Sequence, residues 1–304
     1  MTARSLRTMP LPIPAPRADG ATASTEVPLY WCAYGAESSP RLVVLHGGPG
    51  AHHEYLLPQM LTLADRYDLL FYDQRGGGRS RTDAPAPITW RVHVEDLGRV
   101  VHELGAHPLT LVGYSWGAML ALLYALEAAR RNDLTHPARL VLIDPAPLSR
   151  TWREAFEAEF SRRQSGDDVA RLRAELAASG LRETDPAAYR QRTFELSVAG
   201  YFAHPERARN LTPFRVTGRV QQSVWESLGD FDLIPLLSAL HLPTLMVHGW
   251  ADPIPAESTL AAARAMGARC VVLEGSGHVP YVEQPDALFS AIEQFLEDTS
   301  PLGR

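Results

Sequence analysis

The chain has 304 residues, of which 45% are hydrophobic and 21% charged, and its formal net charge at pH 7 is −6. This length is sufficient for one large α/β domain with an inserted subdomain, because single hydrophobic cores stop growing at roughly 250–300 residues. All 29 basic residues are arginine. The absence of lysine excludes a Schiff base with pyridoxal phosphate and the lysine of a nucleotide-binding phosphate loop. Scattered arginines in an acidic chain also give no reason to expect a nucleic-acid partner.

The first 25 residues form a proline-rich leader, with prolines at positions 10, 12, 14 and 16. These prolines interrupt the apolar residues that a secretory signal peptide needs as an unbroken core. The uncharged stretch 109–126 reaches the ~18 residues of a membrane span. Two glycines and a serine within 113–117 interrupt it, so a short strand, a turn and a helix describe it better. We therefore expect a cytoplasmic protein without a membrane partner.

After the leader, short apolar runs alternate with longer helix-like segments, which is the pattern of β-α-β units. Compact leucine-rich or β-branched runs predict strands at 27–34, 41–45, 69–72, 109–112, 140–143, 244–247 and 270–273. The first of these is expected at an edge of the sheet. Helices are predicted at about 53–66, 90–105, 116–131, 256–266 and 284–297. The fold class predicted is α/β, with a mostly parallel central sheet flanked by helices.

The pattern changes between residues 148 and 229, where charged, helix-like sequence contains no convincing buried strand. This composition predicts a helical cap subdomain, inserted into the sheet domain and lying over the ends of its strands. The sheet domain would then be formed by residues 26–147 and 230–304.

A possible nucleophile lies in the segment Gly-Tyr-Ser-Trp-Gly at 113–117, which fits the pattern G-x-S-x-G. The segment directly follows a predicted strand and directly precedes a predicted helix. This context holds a serine on a tight turn with its hydroxyl projecting, and the small glycines allow close packing of the backbone. We therefore predict that Ser115 is a nucleophile.

A serine hydroxyl is a weak nucleophile until a base takes its proton, so a histidine and an orienting acid are required. His278 follows the last predicted strand, and Asp252 follows the strand before it. Loops at the carboxyl ends of strands form the sites of open α/β sheets. The order Ser115, Asp252, His278 is that of the α/β-hydrolase triad. Asp144, which also follows a strand, is the alternative acid.

The tetrahedral intermediate of such a reaction needs donors for its negative oxygen. The segment His-Gly-Gly-Pro-Gly at 46–50 supplies a glycine-rich loop after the 41–45 strand. We expect one donor to be the amide of Gly48 and the other the amide of Trp116, the residue after the nucleophile. His46 is expected to be a structural residue of this loop.

Four segments together resemble the α/β-hydrolase family that includes the proline iminopeptidases. They are 46–50 (HGGPG), 73–80 (DQRGGGRS), 113–117 (GYSWG) and 277–278 (GH). The resemblance implies removal of an N-terminal residue, often proline, through an acyl-enzyme and without a metal or organic cofactor. It places Ser115, Asp252 and His278 in the triad and Gly48 and Trp116 in the oxyanion hole. It treats 73–80 as a structural loop in which Asp73 and Arg75 pair.

The chain departs from the peptidase pattern at Tyr114, where a glycine is usual, and at Gly77, where a cysteine is usual. These peptidases also place glutamates in the cap to bind the free α-amino group of the substrate. Glu195 and Glu226 are the candidates for that role, and Tyr114 is a further candidate for substrate contact. Removing an ammonium group from water requires such a partner charge.

Two functions therefore remain open, and both use Ser115. The first is release of N-terminal proline or another residue from short peptides or amides. The second is hydrolysis of an ester, lactone or amide of a small uncharged acyl compound. A third reading, from a different class, is a binding protein that holds a small ligand beneath the cap without turnover. In each case the partner is a small molecule or a short peptide, and the oligomeric state is left open.

No metal site is expected from the sequence. Cys32 and Cys270 are too few for a disulfide framework and have no metal-ligand spacing. His52 and His53 are adjacent, and neighbouring side chains cannot both face one site on a helix or a strand.

Overall fold

The computed structural model describes residues 13–23 and 27–299, and within them one sheet of eight strands forms the centre of the molecule. The strands are β1 (Ala18–Ala21), β2 (Tyr30–Tyr34), β3 (Arg41–Leu45), β4 (Asp68–Tyr72), β5 (Thr110–Tyr114), β6 (Arg139–Ile143), β7 (Thr244–Gly249) and β8 (Arg269–Leu273). Their order across the sheet is β1-β2-β4-β3-β5-β6-β7-β8. β1 and β2 pair antiparallel, β2 and β4 likewise, and the remaining neighbours are parallel. The predicted fold class is confirmed.

The middle strands read as continuous apolar runs because helices cover both faces of the sheet. All residues of β4, β5, β6 and β7 are buried. Parallel strands of this kind show no alternation of polar and apolar residues, since neither face meets water. The resulting register places Leu45 beside Gly113, so the carboxyl ends of β3 and β5 lie together.

The helices that flank the sheet are α1 (Trp90–Leu104), α2 (Trp116–Ala128), α8 (Ile234–Leu237), α9 (Ala256–Met266), α10 (Pro280–Glu283) and α11 (Pro285–Asp298). The numbers 3–7 belong to the helices within the segment 148–229. α2 follows β5 after one residue and is buried along nearly its whole length. A helix that is apolar all round is stable only in the interior of a protein. α2 is therefore fixed rigidly against the sheet, and so is the turn that precedes it.

Of the described α-helices between β6 and β7, five precede α8: α3 (Arg150–Gln164), α4 (Asp167–Ala178), α5 (Leu181–Thr184), α6 (Pro186–Val198) and α7 (Gly218–Leu228). They fall within the segment 148–229, and this segment adds no strand to the sheet. No residue of α3 is fully buried, and ion pairs such as Arg153–Glu157 run along its surface.

The observed secondary structure differs from the predicted helices and strands in two places. Residues 53–66 form two short 3-10 segments, His53–Leu56 and Gln59–Asp65, rather than one helix. Pro58 separates them, because proline disfavours helical backbone at the residue before it and offers no N–H. The second difference lies in the predicted leader, where Ala18–Ala21 forms the edge strand. The strand predicted at the edge, β2, is therefore the second strand of the sheet. Residues 1–12 and 24–26 of the leader lie outside the described residues.

Among the residues that the structure describes, no helix is both long and apolar enough to cross a membrane.

Candidate active site

Loops at the carboxyl ends of the parallel strands converge on one point of the molecule. The loop after β3 contains residues 46–50, the turn after β5 contains Ser115, and the loops after β7 and β8 contain Asp252 and His278. This edge is where open α/β sheets bind their ligands.

Ser115 forms the sharp turn between β5 and α2. Its backbone has φ 54° and ψ −117°, a conformation that a residue with a side chain adopts only where its surroundings hold it. The Ser115 N–H donates to the carbonyl of Ile143 at 2.9 Å, and the Ser115 carbonyl accepts from the N–H of Ala118 at 3.0 Å. These bonds fix the turn and leave the hydroxyl group free to contact another loop.

The close approach of β5 and α2 depends on the two glycines around Ser115. A Cβ atom at Gly113 would lie 2.4 Å from the carbonyl oxygen of Gly117. One at Gly117 would lie 2.1 Å from the carbonyl oxygen of Leu45. Neither distance is possible without moving backbone, so the glycines of the motif are required by packing.

Ser115, His278 and Asp252 form one chain of hydrogen bonds. The Ser115 Oγ lies 2.9 Å from His278 Nε2, and His278 Nδ1 lies 2.7 Å from Asp252 Oδ2. The side chains of His278 and Asp252 are buried, whereas Ser115 is partly accessible. With Asp252 ionised, the proton of the neutral ring is on Nδ1 and Nε2 is free to accept the serine proton.

His278 is held by two tyrosines. Its N–H donates to the carbonyl of Tyr201 at 2.7 Å, and its carbonyl accepts from the Tyr114 hydroxyl at 2.9 Å. The rings of Tyr114 and Tyr201 lie 5.3 and 5.2 Å from the imidazole, measured between ring centroids. Tyr114 therefore positions the histidine loop, a contact different from the substrate contact suggested by the sequence. Tyr201 belongs to the segment between β6 and β7, so that segment contributes to the site.

Two buried carboxyl groups lie behind the imidazole, with oxygens of Asp144 and Asp252 within 4.8 Å of each other. Burial raises the pKa of Asp144 well above its ordinary value, and the charge of Asp252 raises it further. Burial also acts to raise the pKa of Asp252, but the charge and hydrogen bond of His278 outweigh it and lower that pKa. Asp252 is thus the ionised member of the pair. Of the two acids that the sequence leaves open, Asp252 is the one bonded to His278.

His248 joins these two acids in a group whose spacing would suit a metal ion. Both nitrogens of the His248 ring are already engaged. Nε2 lies 3.0 Å from the carbonyl oxygen of Ile254, and Nδ1 lies 2.9 Å from the Thr259 hydroxyl. Burial lowers the pKa of His248, so the ring is neutral and connects the loop after β7 to α9 through Ile254 and Thr259.

The two amides expected at the oxyanion hole belong to the loop after β3 and to the first turn of α2. Gly48 has φ +61° and its N–H makes no hydrogen bond within the described part of the chain. The neighbouring Gly47 N–H instead donates to the Tyr55 hydroxyl at 2.7 Å. Trp116 begins α2, where first-turn N–H groups have no acceptor within the helix. Both amides are therefore available to an oxygen atom of a substrate.

Gln74 connects Trp116 to the loop after β3, a contact that the sequence did not predict. Its side-chain oxygen accepts from the Trp116 indole at 2.8 Å, and its amide group donates to the His46 carbonyl at 2.8 Å. The Gln74 backbone N–H also donates to His46 Nε2 at 3.0 Å. Burial lowers the pKa of His46 to about 4, which keeps the ring neutral and able to accept this bond. The signal available in the sequence was that the 46–50 and 73–80 motifs each directly follow a predicted strand.

The expected pairing of Asp73 with Arg75 is wrong. Arg75 forms a two-bond pair with Asp96 of α1, at 2.8 and 2.7 Å. Asp73 accepts from the ring of His53 at 2.8 Å and from the backbone N–H of Arg79 at 2.8 Å.

The two glutamates proposed to bind an amine are not joined to the triad by any hydrogen bond, ion pair or ring contact within the described residues. Glu195 is buried, but it pairs with Arg192 at 2.6 Å. It lines a cavity whose wall contains no residue of the triad. Glu226 is exposed on α7 and accepts a hydrogen bond from Gln222 at 2.7 Å.

Comparison with known proteins yields relatives along nearly the whole chain. A proline iminopeptidase of Lactobacillus helveticus (strain DPC 4571) is 25% identical over 282 residues, which cover 88% of this chain and 94% of that protein. A proline iminopeptidase of Saccharolobus solfataricus (strain ATCC 35092 / DSM 1617 / JCM 11322 / P2) is 26% identical over 295 residues, 90% of each chain. The crystal structure of the Mycobacterium smegmatis proline iminopeptidase shares the fold, with a TM-score of 0.67 and 22% identity over 93% of this chain and 98% of that one.

A family model of the α/β-hydrolase fold matches residues 40–285, a range that includes all four converging loops. This match extends over most of the chain and agrees with the sheet order and with the placement of the loops. The chain belongs to the α/β-hydrolase family and is a hydrolase of that family.

Proposed function

We propose that the chain is a serine hydrolase in which Ser115 attacks a carbonyl carbon and forms an acyl-enzyme. The observation that carries this proposal is the continuous hydrogen-bond chain from Ser115 Oγ through the His278 ring to Asp252. A hydroxyl group becomes an effective nucleophile when a base positioned within hydrogen-bond distance takes its proton as the new bond forms.

In the first half-reaction Ser115 Oγ bonds to the carbonyl carbon while its proton moves to His278 Nε2. The carbonyl oxygen becomes negative and accepts hydrogen bonds from the amides of Gly48 and Trp116, which are worth more in this buried site than in water. The protonated His278 then donates its proton to the leaving group as the carbon–leaving group bond breaks. Asp252 stays ionised and stabilises the imidazolium through Nδ1.

In the second half-reaction water attacks the acyl-enzyme and His278 accepts the water proton. Collapse of the second tetrahedral intermediate returns that proton to Ser115 Oγ and releases the acid. Gln74 acts on both steps by position, because it holds the Trp116 side chain and His46 on the two sides of the oxyanion hole.

Covalent labelling tests this proposal without knowledge of the natural substrate. An aryl fluorophosphonate should add one adduct per chain, and peptide mass mapping should find it on Ser115. Ser115→Ala should lose the adduct and reduce hydrolysis of an aryl ester by at least ~10³. Ser161→Ala, on the exposed surface of α3, is the matched control and should behave as the parent protein. An adduct elsewhere, or an active Ser115→Ala protein, would disprove the proposal.

Release of an N-terminal residue is the first candidate for the substrate class. The support for it is the name of the relatives at 25–26% identity and the motifs shared with them. The placement of Glu195 and Glu226 away from the triad is the observation against it. The alternative is an ester, lactone or amide without a free amino group, for which no carboxylate in the wall of the site is needed.

A substrate panel separates these candidates. It contains proline arylamide and other aminoacyl arylamides, their N-acetylated forms, simple aryl esters and lactones. An aminopeptidase should lose turnover when the amino group is blocked, whereas an esterase, lactonase or amidase should hydrolyse blocked and free forms at similar rates. Ser115→Ala run on the same panel separates turnover at Ser115 from contaminating activity.

A further inference from the structure

A cavity of about 530 Å³ lies between the sheet domain and the helices that connect β6 to β7. Its wall includes Gly50 and His52 from the loop after β3 and Arg81 from the end of the 73–80 motif. Arg190 of α6 and Arg215, in the segment before α7, complete it from the other side. The three arginines thus come from three separate segments of the chain.

Two contacts connect this cavity to the oxyanion loop. The cavity wall includes Phe214, whose ring lies 4.4 Å from the ring of Tyr55. The Tyr55 hydroxyl in turn accepts from the Gly47 N–H at 2.7 Å. A Cβ atom at Gly47 would be 2.9 Å from the Cβ of Ser115, so this loop touches the nucleophile directly. The loop after β3 therefore borders both places, with Gly47 against Ser115 and with Gly50 and His52 in the cavity wall.

The cavity wall carries positive charge without a compensating carboxylate. No aspartate or glutamate is among its lining residues. Within the described residues, the side chains of Arg190 and Arg215 make no ion pair or hydrogen bond, and that of Arg81 donates only to the Gly78 carbonyl at 3.2 Å. Arg79, two residues from Arg81, by contrast forms an ion pair with Glu54 at 2.8 Å.

An anion would satisfy this group of side chains. Guanidinium groups bind carboxylate and phosphate oxygens through paired, charge-assisted hydrogen bonds, and like charges around one cavity repel each other until an anion is present. His52 lines the same cavity, and its Nδ1 is buried without a hydrogen-bond partner. The rings of Phe194 and Phe214 supply apolar wall for a short carbon chain.

We propose that this cavity binds a carboxylate or phosphate group carried by the substrate at the end remote from the carbonyl that Ser115 attacks. The proposal rests on the serine hydrolase function above, and it defines the substrate class as an ester or amide with an anionic terminus. It also accounts for the three arginines of this cavity wall, which would repel the ammonium group of a substrate.

Matched substrates test the proposal. The aryl monoesters of glutaric and adipic acid carry a terminal carboxylate, and a phosphorylated ω-hydroxy acyl ester carries a terminal phosphate. The aryl esters of pentanoic and hexanoic acid are their neutral counterparts. Proline-containing dipeptides with a free or an amidated C-terminus extend the comparison to peptides. We expect kcat/KM to be at least tenfold higher for one of the anionic forms than for its neutral counterpart.

Replacement of the arginines locates the effect. The triple variant Arg81→Gln, Arg190→Gln, Arg215→Gln should raise KM for the preferred anionic substrate at least tenfold and leave the neutral ester within twofold. Arg130→Gln is the control, because Arg130 is exposed beyond the far end of α2. Inorganic phosphate and glutarate should inhibit neutral-ester hydrolysis by the parent protein more strongly than by the triple variant.

The outcomes separate the two proposals. Hydrolysis of neutral and anionic esters at equal rates, with the triple variant unchanged on both, overturns the anion site and leaves the serine hydrolase function intact. Absence of hydrolysis and of covalent labelling at Ser115 overturns the serine hydrolase function itself. A carboxylate preference and a phosphate preference both support the anion site, and they identify which anion the substrate carries.

Discussion

The sheet domain and the inserted helices differ in how they place their charged side chains. Around Ser115, the acids and histidines of the sheet domain are buried and hydrogen-bonded to other groups of the protein. The inserted helices carry most of their charges at the surface, where they either form ion pairs such as Arg153–Glu157 or, around the cavity, lack an ion-pair partner within the described residues. The buried network holds its side chains in one geometry. The exposed charges can be substituted with little loss of stability.

This difference teaches where chemistry and substrate choice reside in the molecule. A buried group that loses its partner is costly, so the network around His278 tolerates few substitutions. Exposed charges contribute little to stability, so the walls of the cavity are free to suit a particular substrate. The expected effects of substitution should therefore be large in the first region and confined to KM in the second.

The largest expected effect separates the two buried acids. Asp252→Asn should reduce kcat by ~10⁴, because the amide no longer holds the imidazole in the required tautomer. Asp144→Asn should stay within about threefold of the parent protein at neutral pH, because Asp144 is already uncharged and asparagine is nearly isosteric with it. Steady-state kinetics on an aryl ester at pH 7.5 gives both values. Equal losses in the two variants would show that Asp144 also carries a charge.

A smaller but still large effect is expected at the oxyanion loop. Gly47→Ala would bring a methyl group within 2.9 Å of both the Ser115 Cβ and the Tyr55 hydroxyl. The loop must shift, which moves the Gly48 amide away from the negative oxygen, and kcat should fall by ~10². Gly218→Ala is the matched control, since a Cβ there meets nothing within 4 Å. Similar kcat values for the two variants would contradict the assignment of this loop.

A third prediction concerns stability and the ion pair beneath the same loop. Burial lowers the pKa of His53, but hydrogen bonds to Asp73 and to the Cys32 thiol outweigh it and raise that pKa to about 9. A histidine with a folded-state pKa above its unfolded value of 6.5 stabilises fully below pH 6.5. That contribution is lost as the pH rises from 6.5 through 9, and the free energy of unfolding should fall by about 3 kcal/mol over this interval.

Urea unfolding at pH 6, 7.5 and 9 measures this loss. Asp73→Asn should flatten the dependence, because the amide leaves His53 without the charge that raises its pKa. His53→Gln removes the titrating group and should flatten it in the same way. A parent protein whose stability is constant between pH 6.5 and 9 would show that His53 is not protonated in the folded state.

The sequence predicted the fold class and most strands of the sheet because their signals are local. Apolar runs of four or five residues mark buried strands, and the glycines at 113 and 117 mark the turn that holds Ser115. The fold class is confirmed by the strand order. The meeting of Ser115 with Asp252 and His278 could be anticipated because each follows a strand of one parallel sheet, although their catalytic roles stay predictions.

Contacts between distant segments could not be predicted in the same way. The sequence does not show that Gln74 bonds both His46 and the Trp116 indole, or that Arg75 reaches Asp96 instead of Asp73. β1 was missed because four small residues, one of them glycine, carry no apolar pattern. In the inserted helices, whether a glutamate faces the site depends on how the helices pack, which helical periodicity alone leaves undetermined.

The smallest expected effect lies at the two glutamates themselves. Glu226→Gln should leave kcat and KM within twofold for free-amino arylamides and for neutral esters, because Glu226 is exposed and bonded only to Gln222 in the described chain. Glu195→Gln should do the same to the kinetics and reduce stability by under about 1 kcal/mol, because it loses the partly exposed ion pair with Arg192. Michaelis–Menten kinetics on a proline arylamide and on an aryl ester provides the comparison.

A selective effect would reverse the contrast between the two regions. If either variant raised KM at least tenfold for the free-amino substrate and left the ester unchanged, an inserted helix would supply the amine partner after all. The arginine-lined cavity would then bind the carboxylate end of a peptide whose amino end lies elsewhere. Unchanged kinetics on both substrates would instead leave the arginine-lined cavity, with its excess of positive charge, as the feature of the inserted helices that discriminates between substrates.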